Sequence, residues 1–176
     1  MTVLVVFTFT LAIAAVLVMI AGNRLPRDHT AAVRGIYAAA PDAVWRLISN
    51  PAQSASWRHD VKRVDMLPTE NGRLVWKEVT GRGVTTYEMV SQVRMVSQVS
   101  RIADEKLPYG GQWEFLLTPH GTGTDLLITE RGFVKPAIMR LLARTVFSPT
   151  KSMEAYHKSL ALHLGEQPQI VTITGR

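Results

Sequence analysis

At 176 residues the chain is long enough for one domain with a real core plus an appendage, and too short for two full domains. It contains no cysteine, which excludes disulfides, zinc-thiolate sites, thiol nucleophiles and thiol redox chemistry. A formal charge of +6 suggests an acidic partner, yet the cations are scattered, with no basic run, no helix-turn-helix signal and no aromatic-basic platform. Nucleic acid is therefore not the expected partner.

The first 21 residues, MTVLVVFTFTLAIAAVLVMIA, carry no charged side chain. As a helix they would measure roughly 31 Å, close to the hydrocarbon thickness of a bilayer. A membrane-spanning anchor is expected, in preference to a cleaved signal peptide, because no Lys or Arg precedes the run and Ile20-Ala21-Gly22 is a poor cleavage pattern. Arg24 and Arg27, just after the span, would put the remaining chain on the cytoplasmic side. An anionic membrane surface would then account for the net charge. The expected organisation is a transmembrane helix over 1–22, a linker over 23–28, a domain over 29–164 and a tail over 165–176.

Loose alternation from His29 to Ala38 reads as a strand. Pro41 to Ile48 reads as a helix, with Pro near its start, an early acid at Asp42, and Val44, Leu47 and Ile48 at helical spacing. A second short helix is expected between Pro51 and Trp57. Four strands follow, over 61–67, 74–80, 85–92 and 95–103, with Asn71-Gly72 and Gly81-Arg82-Gly83 as turns.

The stretch LPYGGQWEFLLTPHGTGTDLLITERG, from Leu107 to Gly132, has two glycine clusters but no helix start after either, so it lacks what a phosphate cradle needs. Its alternation, Trp113, Phe115 and Leu117 before Pro119-His120-Gly121, then Leu126, Ile128 and Glu130, predicts a hairpin. From Pro136 to about Leu164 apolar residues step by three or four, predicting one long helix kinked at Pro149. Arg140, Arg144, Lys151 and Lys158 lie on its opposite face, read as solvated or as facing anionic headgroups. Ile170 to Thr174 could add a terminal strand. Strands grouped before a long helix suggest an α+β layer with that helix over one face of a curved sheet.

Ala40-Pro41-Asp42-Ala43-Val44-Trp45-Arg46-Leu47-Ile48, Trp57-Arg58-His59-Asp60-Val61, Arg101-Ile102-Ala103-Asp104, Leu107-Pro108-Tyr109-Gly110-Gly111-Gln112-Trp113 and Ile128-Thr129-Glu130-Arg131-Gly132, in this order, resemble the START-like SRPBCC superfamily. The branch they look most like is the one labelled polyketide cyclase/dehydrase and lipid transport. The resemblance covers roughly 29–164. It implies a helix-grip fold: a seven-stranded antiparallel sheet wrapped around a long C-terminal helix, with an apolar cavity between them. It implies no shared catalytic signature, so no catalytic role transfers to a residue here, and fold alone does not choose a function.

Glu130 is the leading candidate for chemistry, because the two-residue strand period puts it on the face of Leu126 and Ile128. A carboxylate in an apolar pocket could act as general acid or base. The competing reading is an ion pair with Arg101 or Arg131, or a strand end in water. Glu78 poses the same question, sharing a face with Leu74 and Trp76, while Tyr87 and Met89 share one face and Glu88 takes the other. Trp76, Tyr87, Met89, Trp113, Phe115, Leu126, Ile128, Glu130, Met153 and Tyr156 are the expected ligand-binding set; ordinary core packing explains each of them about as well. The five histidines form no metal-ligand pattern, no His-Glu-x-x-His occurs, and surface positions are expected for them. No Gly-x-Ser-x-Gly elbow supports a hydrolase, and Trp57-Arg58-His59-Asp60 reads as closing a sheet end.

The leading functional expectation is a membrane-anchored protein that binds a hydrophobic small molecule, such as a lipid, polyketide or isoprenoid-like compound, and requires no cofactor. Two alternatives stand beside it: a cofactor-free cyclase or aromatase working through Glu130 or Glu78, and a non-enzymatic membrane-associated interaction module.

Overall fold

A computed structural model of the chain describes residues 2–145, 149–167 and 169–173. The elements run α1 (Thr2–Arg24), β1 (Asp28–Tyr37), α2 (Pro41–Ile48), a 3-10 turn (Pro51–Gln53), α3 (Ser54–Trp57), β2 (Val61–Glu70), β3 (Arg73–Thr80), β4 (Gly83–Val93), β5 (Ser97–Ile102), β6 (Tyr109–His120), β7 (Gly123–Val134), α4 (Ala137–Thr145), α5 (Pro149–His163) and β8 (Gln169–Ile173). All strands join one antiparallel sheet in the order β2-β3-β4-β5-β6-β7-β1-β8.

The α+β layer and the predicted strands are present, with one strand more than the expected seven. The extra one is β8, which pairs with β1 through Gly35↔Ile170 and is tied to α5 by Thr172 Oγ1 donating to Glu154 Oε1 at 2.9 Å. Thr174, expected as its last residue, lies outside the described residues. Asn71 and Gly72 both adopt positive φ, 50° and 75°, the geometry a two-residue hairpin turn requires.

The predicted long helix over 136–164 is described as two segments, α4 and α5, and α5 is described from Pro149 onward. The stretch 146–148 lies outside the described residues. Met153, Tyr156, Leu160 and Ala161 of α5 join Val33 and Tyr37 of β1, Phe115 and Leu117 of β6, Leu126 and Ile128 of β7, and Val44, Trp45 and Ile48 of α2 in one buried core. The Glu166 carboxylate, just past α5, accepts the Ala38 and Ala39 amides at 2.8 and 2.7 Å, so the segment after the helix holds the start of α2 in place.

The membrane expectation is corrected. Among the described residues no helix is long and apolar enough to cross a membrane. This removes the anchor and the cytoplasmic placement drawn from Arg24 and Arg27. The C-terminal end of α1 is built into the domain. Gly22 is buried against α4, where an added Cβ would lie 2.2 Å from the Ala137 carbonyl oxygen, and Asn23 Oδ1 accepts from Arg140 Nη2 at 2.8 Å.

Candidate functional site

Cross-strand pairs share a face, so the register shows which residues look toward α5. Glu130 pairs with Trp113, Trp113 with Ser100, Ser100 with Met89, and, two residues along, Tyr87 with Trp76. Phe115 pairs with Ile128 and Leu117 with Leu126. The sheet residues named as candidates therefore all lie on the same face, and α5 adds Met153 and Tyr156 over it. Glu88 is on the other face, where it binds Arg73 at 3.2 Å and makes a short contact to Arg101.

Tyr156 sits at the centre of an aromatic group. Its ring centroid lies 5.0 Å from Trp57, 5.5 Å from Phe115 and 5.8 Å from Trp113, and the Arg58 guanidinium stands 5.2 Å from it. Edge-on contacts of this kind add to simple burial. Trp76 stacks on Tyr87 with centroids 5.7 Å apart. Leu126, Ile128 and Met153 are fully buried, Trp76, Phe115 and Tyr156 nearly so, while Trp113, Tyr87 and Glu130 keep partial exposure. Burial raises the Tyr156 and Tyr87 phenols well above their ordinary values, with the nearby Glu78 carboxylate adding to it, so both stay protonated.

Two acids face this group, and their environments differ. Glu78 is held at 3.0 Å by Arg58 Nη1 through both carboxylate oxygens and receives Trp76 Nε1–H at 3.2 Å; Arg58 also binds Asp60 at 2.8 Å. Arg58 thus fastens α3 to β3, which is how Trp57-Arg58-His59-Asp60 closes that sheet end. Glu130 has neither of its expected arginine partners: Arg101 turns to Glu88 and Arg131 to Glu114 on the outer face. Instead its Oε2 accepts from Trp113 Nε1 at 2.8 Å, and its Oε1 lies 2.9 Å from His29 Nε2.

Sequence reasoning did not connect His29, at the start of β1, with Glu130. His29 pairs across the strand with Gly132, and an added Cβ at Gly132 would lie 2.6 and 2.7 Å from its Cε1 and Nε2. The glycine leaves the room that the imidazole fills. His157 departs from the surface position expected of it. It is fully buried, its Nε2 donates to the Val33 carbonyl at 3.1 Å, and its Nδ1 accepts from the Tyr37 hydroxyl at 2.6 Å. Burial pushes its pKa down to about 4, outweighing the Val33 hydrogen bond, so the ring is neutral. Arg140, expected on an outward basic face, is buried at the α1–α4 contact, whereas Lys151 and Lys158 are exposed and the Arg144 side chain lies outside the described residues.

A depression of about 300 Å³ lies beside the β2–β3 turn, between the start of β3 and the end of β4, bordered by Gly72, Arg73, Leu74, Met89 and Gln92. It shares Met89 with the predicted set and none of the paired acids.

Residues 38–150 match the family described as Activator of Hsp90 ATPase homolog 1-like protein. The chain belongs to this family. The match runs from the end of β1 through β7 to the start of α5, and so includes Arg58, Glu78, Trp113 and Glu130 while leaving His29 and His157 outside it. No curated protein matches. Among solved structures, the family member resembles norcoclaurine synthase from Thalictrum flavum, with TM-score 0.61 and 12% identity over 85% of this chain and 92% of that one. It also resembles the di-domain aromatase/cyclase of the steffimycin biosynthetic pathway, with TM-score 0.58 and 18% identity over 79% of this chain. That alignment spans about half of the di-domain protein, 52%. The Zhui aromatase/cyclase from Streptomyces sp. R1128 gives TM-score 0.54 and 15% identity over 76% of this chain and 88% of that one. At such identities these likenesses establish the shared helix-grip fold and nothing finer.

Proposed function

We propose that the chain binds a hydrophobic small molecule against the α5-facing side of its sheet. The observation that carries this reading is the aromatic group around Tyr156, flanked by a carboxylate, Glu130, that pairs with no arginine among the described residues. Apolar burial would supply most of the binding free energy, at about 25 cal/mol per Å² removed from water, and Glu130 and Tyr87 would set orientation. The aromatase/cyclases and norcoclaurine synthase share the fold, which supports an apolar ligand of polyketide or aromatic type. Native mass spectrometry of the full chain isolated from its own host, with chemical analysis of any bound compound, tests the reading. A stoichiometric apolar adduct is the expected result. An empty protein that also takes up no apolar compound on titration would overturn it. Trp113→Ala should weaken binding of the identified compound about tenfold or more, and unchanged affinity would remove Trp113 from the site.

A second reading, a cofactor-free cyclase or aromatase, is favoured by one contrast. Glu78 is locked by Arg58 on both oxygens, whereas Glu130 is held only by an indole and an imidazole. Of the two acids named from sequence, Glu130 is the one that Arg58 does not clamp. In that reading Glu130→Gln abolishes turnover with binding and folding intact.

A further inference from the structure

We propose that His29 and Glu130 form a proton-transfer dyad in which the imidazole is the base, and that its substrate is a planar, hydrophobic carbon acid such as a conjugated or aromatic ketone. The proposal rests on the reading that the α5-facing side of the sheet takes an apolar ligand. It adds the residue that would act and the bond it would break.

The geometry assigns the roles. Two nitrogen donors converge on Glu130, Trp113 Nε1 on one oxygen at 2.8 Å and His29 Nε2 on the other at 2.9 Å. Indole N–H can only donate, and an ionised carboxylate can only accept. The arrangement fits a carboxylate that receives Nε2–H, which leaves the lone pair on His29 Nδ1. The carboxylate fixes the tautomer and ring orientation and stabilises the imidazolium that forms when Nδ1 takes a proton. The two arginines nearest in the sheet do not compete for this task, because Arg101 and Arg131 are engaged on its other face. Exposure divides in the same sense: the His29 side chain is 32% exposed and that of Glu130 19%, so the base is reachable while the group that orients it is more covered. Gly132 completes the site, since any side chain there would collide with the imidazole. Trp113 also touches Tyr156 and lies 6.0 Å from Phe115, so the residue that positions the carboxylate belongs to the aromatic surface on which a flat substrate would rest.

In the step itself, a C–H bond next to a carbonyl breaks, its proton moves to His29 Nδ1, and the electron pair passes into an enolate. If a hydroxyl stands one carbon further along, the enolate re-forms the carbonyl as the C–O bond breaks, and the proton on Nδ1 leaves with that hydroxyl as water. The net reaction is a dehydration that needs no oxidant, reductant or cofactor. In a ring bearing a further carbonyl, such a loss leads toward an aromatic product.

Nitrobenzisoxazole is the test probe, because a base that removes the one C–H of its isoxazole ring breaks the N–O bond and releases a coloured cyano-nitrophenolate. Nitrobenzotriazole, a flat analogue with no such bond, reports binding alone through tryptophan fluorescence. The purified full chain is expected to turn over the probe with saturation. His29→Phe should lower kcat by roughly a hundredfold. Glu130→Gln and Trp113→Phe should lower kcat by about tenfold with KM little changed, the sign of lost positioning rather than lost binding. Circular dichroism and melting temperature confirm that each variant is folded, and His29→Gln serves as a milder second substitution. Turnover by folded His29 variants at the wild-type rate overturns the dyad, as does nitrobenzotriazole binding by a wild-type chain no more active than free imidazole. Failure of the wild-type chain to bind nitrobenzotriazole would instead remove the apolar site, and the dyad with it.

Discussion

The buried His157 makes stability depend on pH in a calculable way. Its pKa falls from an ordinary 6.5 to about 4 because burial disfavours the imidazolium. The unfolded chain therefore binds more protons than the folded one between these values, and stability rises with pH across that window. The contribution is intact above about pH 6.5 and is lost as pH falls through the window, saturating below pH 4 at about 3 kcal/mol for this group. Between pH 7 and pH 5 the expected loss is about 2 kcal/mol. With a urea m-value of about 2 kcal/mol/M for a chain of this size, the unfolding midpoint should drop by about 1 M. The decisive comparison is with His157→Gln. Its amide can accept from Tyr37 and donate to Val33 without titrating. Urea midpoints of both proteins across this range are the assay. The variant should lose most of the pH slope whatever its stability at pH 7, and parallel slopes would refute the assignment of the slope to His157.

Three further outcomes follow from the packing. Arg58→Met strands Glu78, whose side chain is 7% exposed, with Trp76 as its remaining donor, and should cost about 3–5 kcal/mol by urea denaturation. Adding Glu78→Met should recover most of that loss, whereas additive losses would argue against a coupled pair. Gly35→Ala would set a Cβ 2.3 Å from His157 Nδ1 and 2.8 Å from the Tyr37 hydroxyl, and should destabilise by about 1–3 kcal/mol in thermal melts. Tyr37→Phe removes the donor to His157 with little change in volume and should cost about 1 kcal/mol, without restoring a histidine that titrates near 6.5.

Most of the sheet was legible because a strand's side chains alternate. Trp113, Phe115, Leu126, Ile128 and Glu130 fell onto one face by counting in twos, and the register confirms that face. The partners of Glu130 were not legible in this way. His29 lies 101 residues away in sequence and meets it only because β1 closes against β7. The trace in the sequence was Gly132, a glycine deep in a strand pattern, the usual mark of close approach by another group. His157 carried a plainer signal. It falls four residues after Met153 and three or four before Leu160 and Ala161, on the helical stripe that is buried. Reading histidine as a surface residue by type outweighed its position.

The strand order has a consequence for how the molecule is made. β1 is synthesised first among the strands, yet its two neighbours are β7, at Gly123–Val134, and β8, at Gln169–Ile173. Strands β2 to β7 form a meander in which each pairs with the next, so they can assemble as they emerge from the ribosome. β1, which carries His29 and Tyr37, must wait while residues 38–122 are made before β7 begins at Gly123. Closure over such separations is slow compared with hairpin formation. The site would therefore be among the last parts of the molecule to form, and a nascent chain halted before β7 would hold an unpaired strand open to chaperones or to other chains.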